Sequence, residues 1–107
     1  MFKDNEGILH IHGKDLTILM NDKDIKLIDI REQYEINICS VPGSLKIPMY
    51  TLLRGFEQLL NKDDEYYILC HTGQRSYYVT DILTQKGYKV INVVGGIVSI
   101  DEHNVPY

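Results

Sequence analysis

The residues best suited to chemistry lie in one run, Cys70-His71-Thr72-Gly73-Gln74-Arg75-Ser76. The cysteine ends the apolar stretch Tyr66-Tyr67-Ile68-Leu69, and apolar residues resume at helical spacing with Val79, Ile82 and Leu83. That order predicts a strand, a short loop and a helix of an α/β unit, with Cys70 at the strand's carboxyl end. The amides of residues 71 to 76 would then curl around the sulfur, with the helix amino terminus behind them and Arg75 beside them. Such a nest favours a thiolate over a thiol. A cysteine ending an apolar strand is also commonly a small buried hydrophobe. Gly73, Arg75 and Ser76 weigh against that plainer reading, because a core cysteine has no need of an amide nest after it.

Two further groups carry chemistry. Asp29 and Arg31 close the run Lys26-Leu27-Ile28-Asp29-Ile30-Arg31-Glu32, a buried strand that ends in charges. In a parallel sheet that end lies on the same side of the molecule as Cys70. His10 and His12, two apart in Ile8-Leu9-His10-Ile11-His12, would project from one face of a short strand. No third ligand is placed beside them, so no metal is expected, and both read as solvent-facing residues of an edge strand.

The elements that must position these groups follow in order. After the first strand, Leu16, Leu19 and Met20 share a helical stripe that opens at Gly13 and stops near Asn21-Asp22. The Lys26 strand leads to a short helix over 33–38. Val41-Pro42-Gly43-Ser44-Leu45-Lys46-Ile47-Pro48 reads as a turn, a brief strand and a proline stop. Leu52, Leu53, Phe56, Leu59 and Leu60 make the stretch 51–60 an amphipathic helix that covers the sheet. The helix after the loop runs from about Ser76 to Lys86 and stops at Gly87, a good left-handed cap. Its Tyr77 and Tyr78 could line an entrance to the site, although packing explains them more simply. Lys89-Val90-Ile91-Asn92-Val93-Val94 is the last strand, followed by Gly95-Gly96-Ile97 and a helix from Val98 to His103. This alternation predicts an α/β architecture: a central, mostly parallel, five-stranded sheet with helices on both faces.

Composition narrows the function. With 107 residues the chain suffices for one core and not two, so 1–107 reads as a single domain. Being 44% hydrophobic and 24% charged, it is an ordinary globular sequence rather than a disordered one. A net charge of -4 argues against broad electrostatic binding to nucleic acid or anionic membrane. No basic start precedes an apolar run, and no apolar stretch is long enough to span a bilayer, so a cytoplasmic protein is expected. In that setting the two cysteines are not a disulfide framework, and thiol chemistry stays open.

Several of these stretches resemble rhodaneses, which are sulfurtransferases. Leu27-Ile28-Asp29-Ile30-Arg31, followed by Val41-Pro42-Gly43-Ser44-Leu45-Lys46-Ile47-Pro48, is similar to the first half of a rhodanese domain. There an Asp-Val-Arg strand end leads through a short helix to a Pro-Gly-Ala segment, a strand and a second proline. The run from Cys70 to Ser76 looks like a rhodanese active-site loop, with four residues between cysteine and arginine. Protein tyrosine phosphatases, and the cell-cycle phosphatases that share this fold, have five there, a loop with room for a tetrahedral phosphate. The shorter ring of amides suits one extra sulfur atom carried on the cysteine. Gly95-Gly96 is similar to the paired glycine turn after a rhodanese's last strand. Ile100 stands where many have tryptophan, and Cys39-Ser40 where many have Gly-His. The resemblance runs from about residue 8 to the end.

It implies that Cys70 is the nucleophile that takes a sulfane sulfur from a donor such as thiosulfate and passes it to a thiol or cyanide. The amides of His71, Thr72, Gly73, Gln74, Arg75 and Ser76 would stabilise the thiolate and then the persulfide, and Arg75 could grip an anionic donor. His71 would assist proton transfer or contact the substrate. Asp29 and Arg31 would orient the loop, or form a local charge pair, Arg31 with Glu35. Cys39 could act as a resolving thiol for an oxidised Cys70. No cofactor is implied; the partners would be a small sulfur donor and a thiol acceptor, with a sulfur-relay protein as a further candidate. Alternative readings are a persulfide carrier or redox-sensing module, a phosphatase or arsenate reductase on this fold, and a noncatalytic interaction module, which would normally lack the cysteine.

Overall fold

Apolar residues crowd into short runs in this chain, and in the computed structural model, which describes residues 1–101, most of those runs become buried strands. The elements are β1 (Phe2–Lys3), β2 (Leu9–His12), α1 (Gly13–Asp22), β3 (Lys26–Asp29), α2 (Gln33–Ile36), β4 (Leu45–Lys46), α3 (Met49–Leu59), β5 (Glu65–Leu69), α4 (Gln74–Gln85), β6 (Lys89–Val94) and α5 (Gly96–Asp101). They build one six-stranded sheet in the order β1-β2-β6-β5-β3-β4. All its pairings are parallel except that of β1 with β2. The parallel register sets Leu69 beside Asp29 and Ile68 beside Asn92, so the carboxyl ends of β3 and β5 open on one side.

The expected five strands form the parallel part, and β1 is an addition. Two residues have no period, so sequence patterning does not reveal such a strand. It forms because the Asp4 carboxylate turns the chain, accepting the amides of Glu6 at 2.9 Å and Ile8 at 3.0 Å. Phe2 thereby pairs with His10. This corrects the reading of β2 as an edge strand with solvent-facing histidines. His10 is only 6% exposed, covered by the rings of Phe2 and Tyr77 at 5.0 and 5.5 Å. His12 does remain exposed.

Alternation along β5 divides the core between the two faces of the sheet. Tyr67 and Leu69 join Leu16, Ile97 and Ile100 beneath α1 and α5. Tyr66, Ile68 and Cys70 join Leu52, Val79 and Leu83 beneath α3 and α4. Helices thus cover both faces, and each fully buried aliphatic side chain contributes about 1.5–3 kcal/mol. Ile100 is buried in the first cluster.

Element ends shift from the sequence reading. β3 stops at Asp29, α2 at Ile36, and α3 begins at Met49 behind Pro48. α4 begins at Gln74 rather than Ser76, and α5 at Gly96 rather than Val98. The expected end of the last helix at His103 lies outside the described residues.

Candidate active site

Cys70 follows β5 directly and is 1% exposed. Gly73 turns the chain into α4 with φ of 99°, and a Cβ there would stand 3.0 Å from the Gly95 amide nitrogen. Only glycine takes that backbone shape freely, and the early turn brings α4's amino terminus onto the sulfur. Sγ accepts hydrogen bonds from the amides of Gly73 at 3.1 Å and Ser76 at 3.3 Å. Both donors belong to the start of a helix, where unpaired N–H groups and the helix dipole favour negative charge. Of the six amides that the sequence places around the sulfur, those bonded to Sγ among the described residues are Gly73 and Ser76. The side chains of His71, Thr72 and Gln74 stand exposed at the rim, while Ser76 is buried.

Arg75 does not point freely toward an incoming anion. Its Nη1 and Nη2 donate to the two carboxylate oxygens of Glu35 at 2.8 and 2.7 Å. That fork, reinforced by the Glu32 amide, holds the Glu35 carboxyl down at about 2 despite partial burial. Sequence reading offered Glu35 to Arg31, and this is corrected. Arg31, 2% exposed, is held instead by the fully buried Asp29, its Nη2 lying 2.7 Å from Oδ2. Arg31 reaches Glu35 only through the backbone carbonyl, at 3.3 Å, and also bonds the Cys39 carbonyl at 2.8 Å. A buried charge must be paired, and Asp29 was the nearer carboxylate. The Asp29–Arg31 pair is thus bonded to the end of α2 and the chain after it, and α2 presents Glu35 to Arg75 in the turn after Cys70.

A pocket of about 220 Å³ opens beside this turn, lined by Arg31, Glu35, Ile38, Cys39, His71 and Val98 among others. Cys39 packs with the cluster under α1 and α5, whereas Cys70 belongs to the opposite cluster. Both thiols are free. α5 closes the site from above: the amides of Ile97 and Val98 donate to the carbonyls of Cys70 and His71 at 2.9 and 3.3 Å. A Cβ on Gly96 would run into those same two carbonyls.

Contacts missed by sequence reading link the sulfur to the sheet through α4. The Ser76 hydroxyl lies 3.2 Å from Sγ and donates to Oδ1 of buried Asn92. Asn92 Nδ2 lies 3.2 Å from His10 Nδ1, and His10 Nε2 lies 2.8 Å from Asp4 Oδ2. The His10 contact brings the Asp4 carboxyl down to about 2. One signal was available: Asn92 interrupts an apolar strand, and a buried amide must be satisfied. Tyr77 packs on His10 as the simpler reading had it, whereas Tyr78 is exposed.

A family model described as the rhodanese-like domain matches residues 13–103. A sulfurtransferase of Allochromatium vinosum is 35% identical over 89 residues, spanning 82% of this chain and 82% of that protein. The adenylyltransferase and sulfurtransferase uba4 of Sclerotinia sclerotiorum is 31% identical over 108 residues, 86% of this chain but 24% of that protein. The crystal structure of a rhodanese-like domain protein from Staphylococcus aureus aligns with a TM-score of 0.82 at 28% identity, covering 92% of this chain and 97% of that one. No helix among the described residues is long and apolar enough to cross a membrane.

Proposed function

The chain belongs to the family of rhodanese-like domains, and on that premise we propose that it is a sulfurtransferase working through a persulfide on Cys70. The Cys70 thiolate attacks the outer sulfur of a donor such as thiosulfate. An S–S bond forms to Sγ as the donor's own S–S bond breaks, and the electron pair leaves with sulfite. Cyanide or an acceptor thiolate then attacks the outer sulfur of the persulfide. The new bond forms there, and the electron pair of the broken S–S bond returns to Sγ. The transferred sulfane sulfur is itself the oxidant of the acceptor, Cys70 returns to its starting thiolate, and the cycle needs no external oxidant, reductant or cofactor.

The observation that carries this reading is the convergence of the Gly73 and Ser76 amides on one buried sulfur at the start of α4. Fixed donors of this kind stabilise an anionic sulfur without having to reorganise. In this scheme His71, Thr72 and Gln74 meet the donor at the rim, and Asp29 and Arg31 hold α2 and, through it, Arg75. The same reading has the protein act in the cytoplasm, where both thiols stay reduced between turnovers.

Incubation with thiosulfate followed by intact mass measurement tests it. A gain of one sulfur, abolished by Cys70→Ser, supports transfer. Hydrolysis of a phosphate ester without sulfur gain would point to a phosphatase, and neither result would point to an interaction module.

One observation favours a carrier that receives persulfide sulfur from a partner protein over direct use of thiosulfate. Glu35 already neutralises Arg75, which lowers its pull on a small dianion.

A further inference from the structure

His10, Asn92 and the Ser76 hydroxyl are buried polar groups that the sulfur chemistry above does not use. They are not scattered. His10 and Asn92 face each other across β2 and β6, and Ser76 bridges Asn92 to Cys70. The donors run in one direction. The Cys70 thiol donates to Ser76 Oγ, the Ser76 hydroxyl to Asn92 Oδ1, Asn92 Nδ2 to His10 Nδ1, and His10 Nε2 to Asp4 Oδ2. Each link fixes the next. The Asp4 carboxylate demands a hydrogen on Nε2, which leaves Nδ1 of the neutral ring as an acceptor. That lone pair draws Nδ2 of Asn92, so Oδ1 must face Ser76 and takes its hydroxyl hydrogen.

We propose that His10 is a positioning residue whose protonation state decides whether the Ser76 hydroxyl serves Asn92 or the sulfur of Cys70. The proposal rests on the reading of Cys70 as the reactive thiol. With the ring neutral, Ser76 offers sulfur only a lone pair, which suits a thiol and does nothing for a thiolate. When the ring takes up a proton from solvent, both nitrogens carry hydrogen and Nδ2 of Asn92 meets an N–H. The amide then turns over, so that Oδ1 accepts from Nδ1 and Nδ2 donates to Ser76 Oγ. The hydroxyl hydrogen, released from Asn92, donates to the Cys70 thiolate as a third bond beside the Gly73 and Ser76 amides.

The surroundings of the ring suit this role. Asp4 lies against Nε2 and stays anionic, and the Tyr77 hydroxyl from α4 bonds the same carboxylate oxygen at 3.2 Å. Phe2 of β1 stacks on the ring, and His12, two residues along β2, shares that phenyl group at 5.3 Å. Asn92 is the contact from β6.

The test reads the sulfur without requiring sulfur transfer. Alkylation of Cys70 by iodoacetamide is followed at its own peptide by mass spectrometry, which separates it from Cys39, over about pH 5 to 9. An ordinary thiol loses rate tenfold per pH unit below its titration. In the wild-type protein the loss should slacken over the range in which the His10 ring takes up its proton, a range read from the nitrogen-15 shifts of that ring. Below that range the wild type should react about tenfold faster than His10→Gln, the effect of one added hydrogen bond to a charged group. Parallel profiles in the two proteins overturn the proposal, whether or not thiosulfate loads Cys70. A retained shoulder without loading would leave the proposal standing and count against sulfur transfer alone.

Nitrogen-15 spectra of the wild-type protein give a second reading that needs no variant. The neutral ring should carry its hydrogen on Nε2, and the Asn92 side-chain amide and Ser76 backbone amide should move together as the ring is protonated. An Asn92 amide that stays still through that titration overturns the proposal.

Discussion

At the scale of single residues, the site depends on what touches Sγ and what touches Arg75. Cys70→Ala should abolish sulfur loading while leaving the fold intact, because it removes one atom from a cluster of larger apolar groups. Loading measured by intact mass, with a thermal melt as control, checks both halves. The fork between Arg75 and Glu35 gives an opposed pair of outcomes. Arg75→Ala should raise KM for thiosulfate, and Glu35→Gln, which leaves the guanidinium unneutralised, should lower it. Steady-state kinetics at low salt, where such attraction is strongest, measures this, and unchanged KM in both variants would remove Arg75 from donor binding. The placement of Cys70, at a strand end under the start of a helix, was legible from order alone: strand, cysteine, glycine, arginine, serine. The partner of Arg75 was not, since Glu35 is forty residues away in sequence and the nearer pairing of Arg31 with Glu35 looked equally good. Burial decided between them, because Arg31 lies where a charge needs Asp29 at full strength.

At the scale of elements, the turn after Cys70 is gripped from two sides. α4 aims its first amides at the sulfur, and α5 lays its own on the carbonyls of Cys70 and His71. Gly96, at φ of 60°, allows that approach. Gly96→Ala should therefore destabilise the protein by about 2 kcal/mol or more, combining left-handed strain with overpacking. Urea denaturation measures the loss, and faster proteolysis at the turn would locate it. The helices and parallel strands were legible because apolar spacing of about two or 3.6 residues marks them. Their ends were less so. Where α4 begins depends on Gly73 adopting positive φ against the Gly95 backbone, a contact between distant segments that spacing does not encode.

At the scale of the whole molecule, two carboxylates titrate far below their ordinary range. Glu35 and Asp4 are each brought to about 2 in the folded chain, by Arg75 and by His10 respectively. A carboxyl whose value is depressed by folding contributes stability that is complete above its ordinary value and is lost as pH falls through the folded one. Thermal melts should therefore decline from about pH 4.5 toward 2, and Glu35→Gln should flatten part of that decline. A melting temperature independent of pH across this window would contradict the pairings. The architecture itself was foreseeable from alternating strand and helix patterns, with one exception. β1 owes its existence to a turn closed by Asp4 and to a ring stack with His10, neither of which leaves a periodic trace.

That small strand makes the choice of expression boundary a chemical variable. A version begun at Ile8 would keep every residue of the Cys70 turn and the whole parallel sheet, and it would pass inspection as an intact domain. It would nonetheless strip the imidazole of its carboxylate and its phenyl cover. A tag joined ahead of Met1, which stands 59% exposed, leaves that shield in place.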